Sequence, residues 1–425
     1  VTLANGLHLR LEDVPDRMRL SDITAARDSH KLYEQLRDEW GPVAPMDLEP
    51  GVPAWLVLGY DEASSVMRNE LLFSRSSRNW RYVREHSLRA ESGVFAALSP
   101  RENAYYLDGM QQRRLRAPLV DALSGVDEKR LARTVSVTCK AIIDRLMPRG
   151  EADLVSEYAV SVPVLVMTEM FGMSLSDGNK MHELTEALYA GTENAIAAAT
   201  EQEALLAALV ARRRAEPGDD LITALVHHPN HRNDAEVMAS LGVMFGLGHN
   251  AEIAWIASTL HMILTDPAFA SRVRRGRLDL DDALDEVSRR NPPTPHVLPR
   301  FALQDCELGG RRIALGDALV PAVAAANSDR AIRTDDPWEE LGSRFQLTWG
   351  AGAHACPAHR IGPLIGRIAV DTLLRRILDM ELIVSSDSIK MSVSSWSRYP
   401  RSLPVRFTSP PMDGWAVPSA DHLRR

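Results

Sequence analysis

Along most of the chain, apolar residues recur at three- and four-residue spacing, the pattern of helices that bury one face. The spacing predicts helices over residues 131–146, 156–171, 181–198, 204–214 and 235–264. The last is the longest, and from residue 237 it is predominantly apolar, with the polar group His249, Asn250 and Glu252 near its middle. A membrane span needs about 20 predominantly apolar residues, but these three would lie near the bilayer centre, where ionisable groups are costly. A helix through the core of a large domain fits the pattern better, and no membrane partner is expected. Strand-like runs are short: 55–59, then 306–308 and 312–315 with Gly309-Gly310 as a hairpin turn, and 403–407. No internal repeat and no Gly-, Ser- or Pro-rich linker divides the chain. The expectation is one domain over residues 1–425, mainly α with small β-sheets at the two ends, around a central helix at about 235–264. Residues 73–107 and 327–349 read as long loops, which are usually functional or disordered.

Composition narrows this further. The chain is 45% hydrophobic and 25% charged, the balance of a globular protein with a sizeable core. A net charge of -8 argues against nucleic acid as the main partner. Cys139, Cys306 and Cys356 make an odd set without a CxxC pair, which suggests neither a disulfide framework nor a zinc site. A reducing, cytoplasmic compartment is expected. The first ten residues show no basic and then apolar run, so no signal peptide is expected.

The chemistry gathers at Trp349-Gly350-Ala351-Gly352-Ala353-His354-Ala355-Cys356-Pro357. Proline favours the first helical position, which would set the sulfur at a helix N-terminus, where the macrodipole and free N–H groups favour a thiolate. A thiolate held by a glycine-rich loop suits the axial position of haem iron. Two plainer readings compete. A phosphate loop needs Gly-Lys-Ser/Thr at the helix start, and this one has Cys-Pro-Ala; a buried structural cysteine is the other.

The segment closely resembles the haem-binding loop of the cytochrome P450 family, aromatic-Gly-x-Gly-x-His-x-Cys-x-Gly. Trp349, Gly350, Gly352, His354 and Cys356 match, while Ala358 stands where glycine is usual. The resemblance implies a cytochrome P450 fold enclosing haem b (iron protoporphyrin IX), with Cys356 on the iron, Gly350 in the loop, Trp349 near the sulfur and His354 at a propionate. Three further segments agree in order. Glu286-Val287-Ser288-Arg289 puts opposite charges on one helix face; exposed, such a bridge is worth little, but followed by Asn291-Pro292-Pro293 it resembles the family's Glu-x-x-Arg helix, a structural lock. Arg300 falls where the family carries an arginine to a propionate. Gln112 and Arg116 fall on the positions of a helix that reaches the propionates, where arginine bonds to carboxylate are charge-assisted. Taken alone, each basic cluster reads as a solvated helix face.

The central helix departs from the family. Where the family has Ala-Gly-x-Asp/Glu-Thr-Thr, this chain has Phe245-Gly246-Leu247-Gly248-His249-Asn250-Ala251-Glu252. Gly248 keeps the small residue that leaves room for dioxygen. Asn250 and Ala251 replace the acid and the alcohol that relay protons in the family. Gly248, Asn250, Ala251 and Glu252 are therefore the catalytic candidates, with three explanations open: the substrate relays protons itself, Glu252 delivers them or binds a substrate N–H, or the reaction is not plain oxygen insertion. Compensation by a neighbouring polar group or water, with ordinary hydroxylation, stands as the bland reading. Candidate pocket residues are Trp80 and Tyr82 (with Arg78) from the 73–107 loop, Met244, Phe245 and His249 on the central helix, Thr294, His296 and Val297 after the Glu-x-x-Arg helix, and Trp396 near the C-terminus.

The resemblance implies an oxidoreductase of monooxygenase type acting on a small molecule. The missing acid–alcohol pair, and a general similarity to actinobacterial tailoring members, point to oxidative C–C or C–N coupling of an aromatic, peptide-derived secondary metabolite such as a tryptophan-containing diketopiperazine. The alternative is hydroxylation or epoxidation of an apolar metabolite; a haem-binding scaffold without turnover is a third reading, against which Gly248 speaks. Electrons are expected from a separate ferredoxin and ferredoxin reductase, docked on a basic surface including Arg113, Arg114 and Arg360.

Overall fold

The computed structural model describes residues 10–85, 98–190, 195–333, 346–392 and 396–408. Helices dominate it. Those that position the site are α1 (Gly109–Ser124), α2 (Glu128–Leu146), α3 (Ser161–Met170), α4 (Leu175–Ala190), α5 (Ala195–Ala215), α6 (Asp234–Thr265), α7 (Leu280–Arg290) and α8 (Ile361–Arg376). Three of these starts are set by short polar caps that satisfy free N–H groups. Asp127 accepts from Lys129 and Arg130 at α2, Asn233 from Glu236 at α6, and Asp279 from Asp282 at α7.

The expected helix over 181–198 is instead two: α4 ends at Ala190 and α5 begins at Ala195. Residues 191–194 of that expectation lie outside the described residues.

Strands β1 (Val43–Asp47), β2 (Pro53–Val57), β3 (Phe73–Ser74), β5 (Arg300–Ala302) and β8 (Ala318–Pro321) form one sheet in the order β1-β2-β8-β5-β3, with β4 (Glu151–Asp153) lying elsewhere. The β1–β2 hairpin is antiparallel, but β2 pairs with β8 in parallel. Strands β6 (Cys306–Leu308) and β7 (Arg311–Ile313) make the expected Gly309-Gly310 hairpin. β4 joins β10 (Pro404–Arg406) and β9 (Glu381–Leu382) in a third sheet. Apolar faces of α2, α7, α8 and the C-terminal half of α6 meet in the largest core cluster, and a second core lies against the five-stranded sheet. Among the described residues no single helix is long and apolar enough to cross a membrane; α6 and the helix Pro267–Arg274 reach that measure only as a pair bent by 102°.

Candidate active site

The cysteine loop is shaped by its backbone. Gly350 and Gly352 adopt φ of 70° and 69°, a left-handed conformation that glycine takes without steric cost. Gly352 also lies so close to the helix over residues 60–68 that a Cβ would stand 2.8 Å from the Met67 carbonyl. The loop closes through the Cys356 N–H, which donates to the Trp349 carbonyl at 2.7 Å. Pro357 does not open the helix as its sequence predicts. A turn occupies 357–360 and α8 starts at Ile361, so the sulfur lies one turn short of the helix end. Burial pushes the Cys356 thiol up, opposed by the Ala358 N–H and by Arg116.

Two residues of α1 brace the loop from outside. Gln112 donates to the Ala353 carbonyl at 2.9 Å, and Arg116 donates to the Ala355 carbonyl. Both had been expected at propionates; here they grip the loop that carries the sulfur, because one turn of α1 runs alongside it. His354 is turned to Asp108, Nε2 to Oδ1 at 3.4 Å. Burial, with the cations Arg300 and Arg75, holds its imidazole down at about 4 against the pull of Asp108.

Beside His354 lies an unusual pair of cations. Arg300 is 3% exposed and its Nη1 has no hydrogen-bond partner. Burial and then the nearby Arg75 push its guanidinium down to about 9. Arg75, which the sequence reading missed, is buried as well. It donates to the carbonyls of Tyr105 (3.1 Å), Pro299 (2.9 Å) and Leu298, and its Nη2 is left without a partner. Two buried guanidinium groups with orphaned N–H donors are costly without an anion. A pair of haem propionates supplies what they lack, so the residues fit the cofactor: Cys356 for the iron, Arg300 and Arg75 for the carboxylates.

Behind the loop, the expected Glu286–Arg289 pair is present and fully buried at Glu286. Arg290 joins it through a second ion pair to Glu286. The lock continues into the loop: Thr348 Oγ1 donates to the Ser288 carbonyl at 2.9 Å, and Asn327 bonds both Thr348 and the Leu347 N–H.

Halfway along α6 one face opens. Leu247 is 37% exposed and Gly248 is also exposed, with Met244 and Ala251 half-buried a turn to either side. These four positions form one helical stripe; Leu247 is a further member the sequence reading missed. A Cβ on Gly248 would meet Met167 of α3 at 3.4 Å. Asn250 flanks the stripe, half-buried. Glu252 is not on it. Its carboxyl lies over the two glycines of α8, where a Cβ on Gly366 would be 3.0 Å from Oε1 and one on Gly362 3.3 Å from Oε2. Burial pushes this carboxyl well up. The residue faces the cysteine helix, because a four-residue step turns a helix by somewhat more than one full turn.

The other pocket candidates lie in the following surroundings. Trp80 is core, stacked on Tyr82 at 5.6 Å and tilted on Phe301. Trp80 and Tyr82 line a cavity of about 230 Å³ with Arg81 and Asp317 beside the sheet, which shares no residue with the cysteine site. Phe245 packs on Phe171 at 4.4 Å in the core. His296 is fully buried and bonded to Tyr33 Oη (2.9 Å) and Thr24 Oγ1 (3.2 Å). Val297 packs against the sheet-side core and Trp396 against the neighbouring cluster, while Thr294 is half-buried. His249 is buried, bonded to His182 and to the Phe245 carbonyl, and burial holds it down at about 4. Of the basic docking surface, Arg114 is held by Glu236, Arg360 by Glu128, and Arg113 lies 3.8 Å from Glu70.

No protein-family model matches the chain. Among curated proteins it is 27% identical over 409 residues to cytochrome P450 107B1 of Saccharopolyspora erythraea, covering 93% of this chain and 98% of that one. It is 28% identical over 395 residues to 6-deoxyerythronolide B hydroxylase of the same organism, covering 89% and 96%. Among solved structures, CYP154C4 from a Streptomyces species superposes with a TM-score of 0.83 at 25% identity, covering 92% of this chain and 97% of that one. Likeness over nearly the whole length, in sequence and in backbone, coincides with a cysteine loop and a buried cation pair that suit one cofactor: the chain belongs to the cytochrome P450 family and is an oxidoreductase carrying haem b.

Proposed function

We propose that the protein joins two positions of an aromatic, peptide-derived secondary metabolite by an oxidative C–C or C–N bond, a tryptophan-containing diketopiperazine being the model substrate. The carrying observation is the open stripe of α6. Met244, Leu247, Gly248 and Ala251 bear no acid and no hydroxyl, and the carboxyl of Glu252 is turned to α8.

When bound, the haem thiolate supplies oxidising power drawn from dioxygen and two electrons. The chain's own residues do the rest. Arg300 and Arg75 hold the carboxylates, Gly248 leaves open space, and the apolar stripe favours a flat ligand. Asn250 offers an amide that bonds a substrate carbonyl or N–H but cannot titrate. In coupling, R–H + R′–H + O₂ + 2 e⁻ + 2 H⁺ gives R–R′ + 2 H₂O. Hydroxylation, R–H + O₂ + 2 e⁻ + 2 H⁺, gives R–OH + H₂O. Both reactions take up the same two protons, which at a stripe without acid or hydroxyl come through water or the substrate's own polar groups; in coupling the second water takes its hydrogens from the two substrate bonds broken. Electrons come from a separate ferredoxin and its reductase, which face a surface whose arginines are mostly engaged in ion pairs.

A second reading, hydroxylation or epoxidation of an apolar metabolite, is favoured by relatives whose names describe hydroxylases. Turnover under labelled dioxygen separates the two. Coupling yields a product two hydrogens lighter than its reactants and free of label. A product that gains one labelled oxygen, with none coupled, overturns the first reading in favour of the second.

A further inference from the structure

Across the α4–α6 interface, His182 and Glu186 of α4 face His249 of α6. One ligand atom from each residue lies within 4.8 Å of the other two. His182 and Glu186 are one turn apart, so both project from one side of α4. The imidazoles meet edge to face, with centroids 5.2 Å apart, and His182 Nδ1 is 3.1 Å from His249 Nε2.

The tautomer of His249 follows from its other contact. Its Nδ1 is 2.8 Å from the Phe245 carbonyl, and a carbonyl can only accept, so Nδ1 carries the proton and Nε2 presents a lone pair. Metal-ligating histidines are oriented in this way, by donating the second ring N–H to a carbonyl or carboxylate. On a tetrahedral ion with metal–nitrogen bonds of about 2.1 Å, two nitrogens stand about 3.4 Å apart. The observed pair is within a few tenths of an ångström of that spacing, and a Glu186 carboxylate oxygen lies within 4.8 Å of both nitrogens.

We propose that His182, Glu186 and His249 form a binding site for one divalent transition-metal ion of the zinc class. Two imidazoles and one carboxylate are a borderline-soft donor set suited to that ion, and three protein ligands leave a fourth position open. The ion ties α4 to α6 next to Gly248 and Asn250, the neighbours of His249, and so braces one wall of the open face. The proposal is independent of which bond the enzyme makes, because its test reads metal rather than product.

Zinc is titrated calorimetrically into the haem-loaded protein in a non-chelating buffer near neutral pH. One ion per chain is expected. His182→Ala and Glu186→Gln are each expected to weaken binding by at least about tenfold, with haem content and the ferrous carbonyl spectrum unchanged. His249→Ala is the third variant; should that buried position fail to fold, the other two carry the test. Absence of zinc binding by the parent protein overturns the proposal. So does binding that both variants leave intact, which assigns the ion to the Glu70–Asp108–His354 group or to surface carboxylates.

Discussion

The carboxyl of Glu252 fills the space that a side chain on Gly366 would take, with Oε1 3.0 Å from where its Cβ would stand. Packing of α6 against α8 therefore depends on an acid on one helix and a bare backbone on the other. Burial pushes that acid well above the usual carboxylate range, which favours its neutral form. Glutamine has nearly its shape and no charge. Glu252→Gln is expected to keep turnover within about twofold of the parent, since a neutral acid and an amide differ little in solvation here. Gly366→Ala is expected to cost about 1–3 kcal/mol of unfolding free energy through overpacking, part of it recovered in the Glu252→Ala/Gly366→Ala double variant. A collapse of turnover in Glu252→Gln returns the residue to proton delivery.

Arg300 has opposite effects expected in the two forms of the protein. Arg300→Met removes a buried charge whose Nη1 has no hydrogen-bond partner, so the haem-free chain should gain about 1–4 kcal/mol of stability. It also removes a charge-assisted bond to a propionate, worth about 1.5–3 kcal/mol, so haem retention should fall at least about tenfold. Denaturant unfolding of the haem-free protein and haem transfer to an acceptor globin measure the two signs separately.

Glu286 sits between Arg289 and Arg290 with no exposure. Removing the shared acid takes the nearest carboxylate from both cations, with Asp266 4.0 Å from Arg290. Glu286→Gln is expected to destabilise the fold by about 3–5 kcal/mol, seen as loss of the haem-loaded fraction on expression and a lower thermal midpoint.

Arg114 and Glu236 form a two-pronged ion pair with both N–O distances 2.8 Å. The bond to Arg114 holds the Glu236 carboxyl down at about 2, against an ordinary value of 4.5. A depressed carboxyl stabilises the fold above its unfolded value and loses that contribution as pH falls toward the folded one. Glu236→Gln should therefore cost about 1–3 kcal/mol near neutral pH. The gap from the parent should narrow below about pH 4.5 and close near pH 2. Urea midpoints taken across that range check the sign.

What the sequence disclosed was local. The cysteine loop could be read because its glycines, histidine and sulfur lie within a few residues of one another, and Glu286 with Arg289 because one helical turn brings them together. Arg75 could not be read, since Phe73-Ser74-Arg75-Ser76 acquires meaning only when β3 pairs with β5 and sets it beside Arg300. Leu247 was hidden by being one apolar residue among many on α6; periodicity finds no face on a helix apolar nearly all round. Glu252 was assigned to the wrong neighbour because spacing tells which residues share a side, not which helix packs there. Trp80 and His296 had the chemistry of a pocket wall, and the core absorbed both by giving them partners.

The parallel pairing of β2 with β8 bears on how the chain is made. The β1–β2 hairpin leaves the ribosome early, but its neighbour arrives only after most of the helices have been synthesised. Trp55, fully buried on β2, has its indole N–H 3.0 Å from Asp317, just before β8. Until that aspartate emerges, the nascent hairpin carries an unpaired edge and an uncovered indole, an opening for chaperones and for mispairing between neighbouring chains.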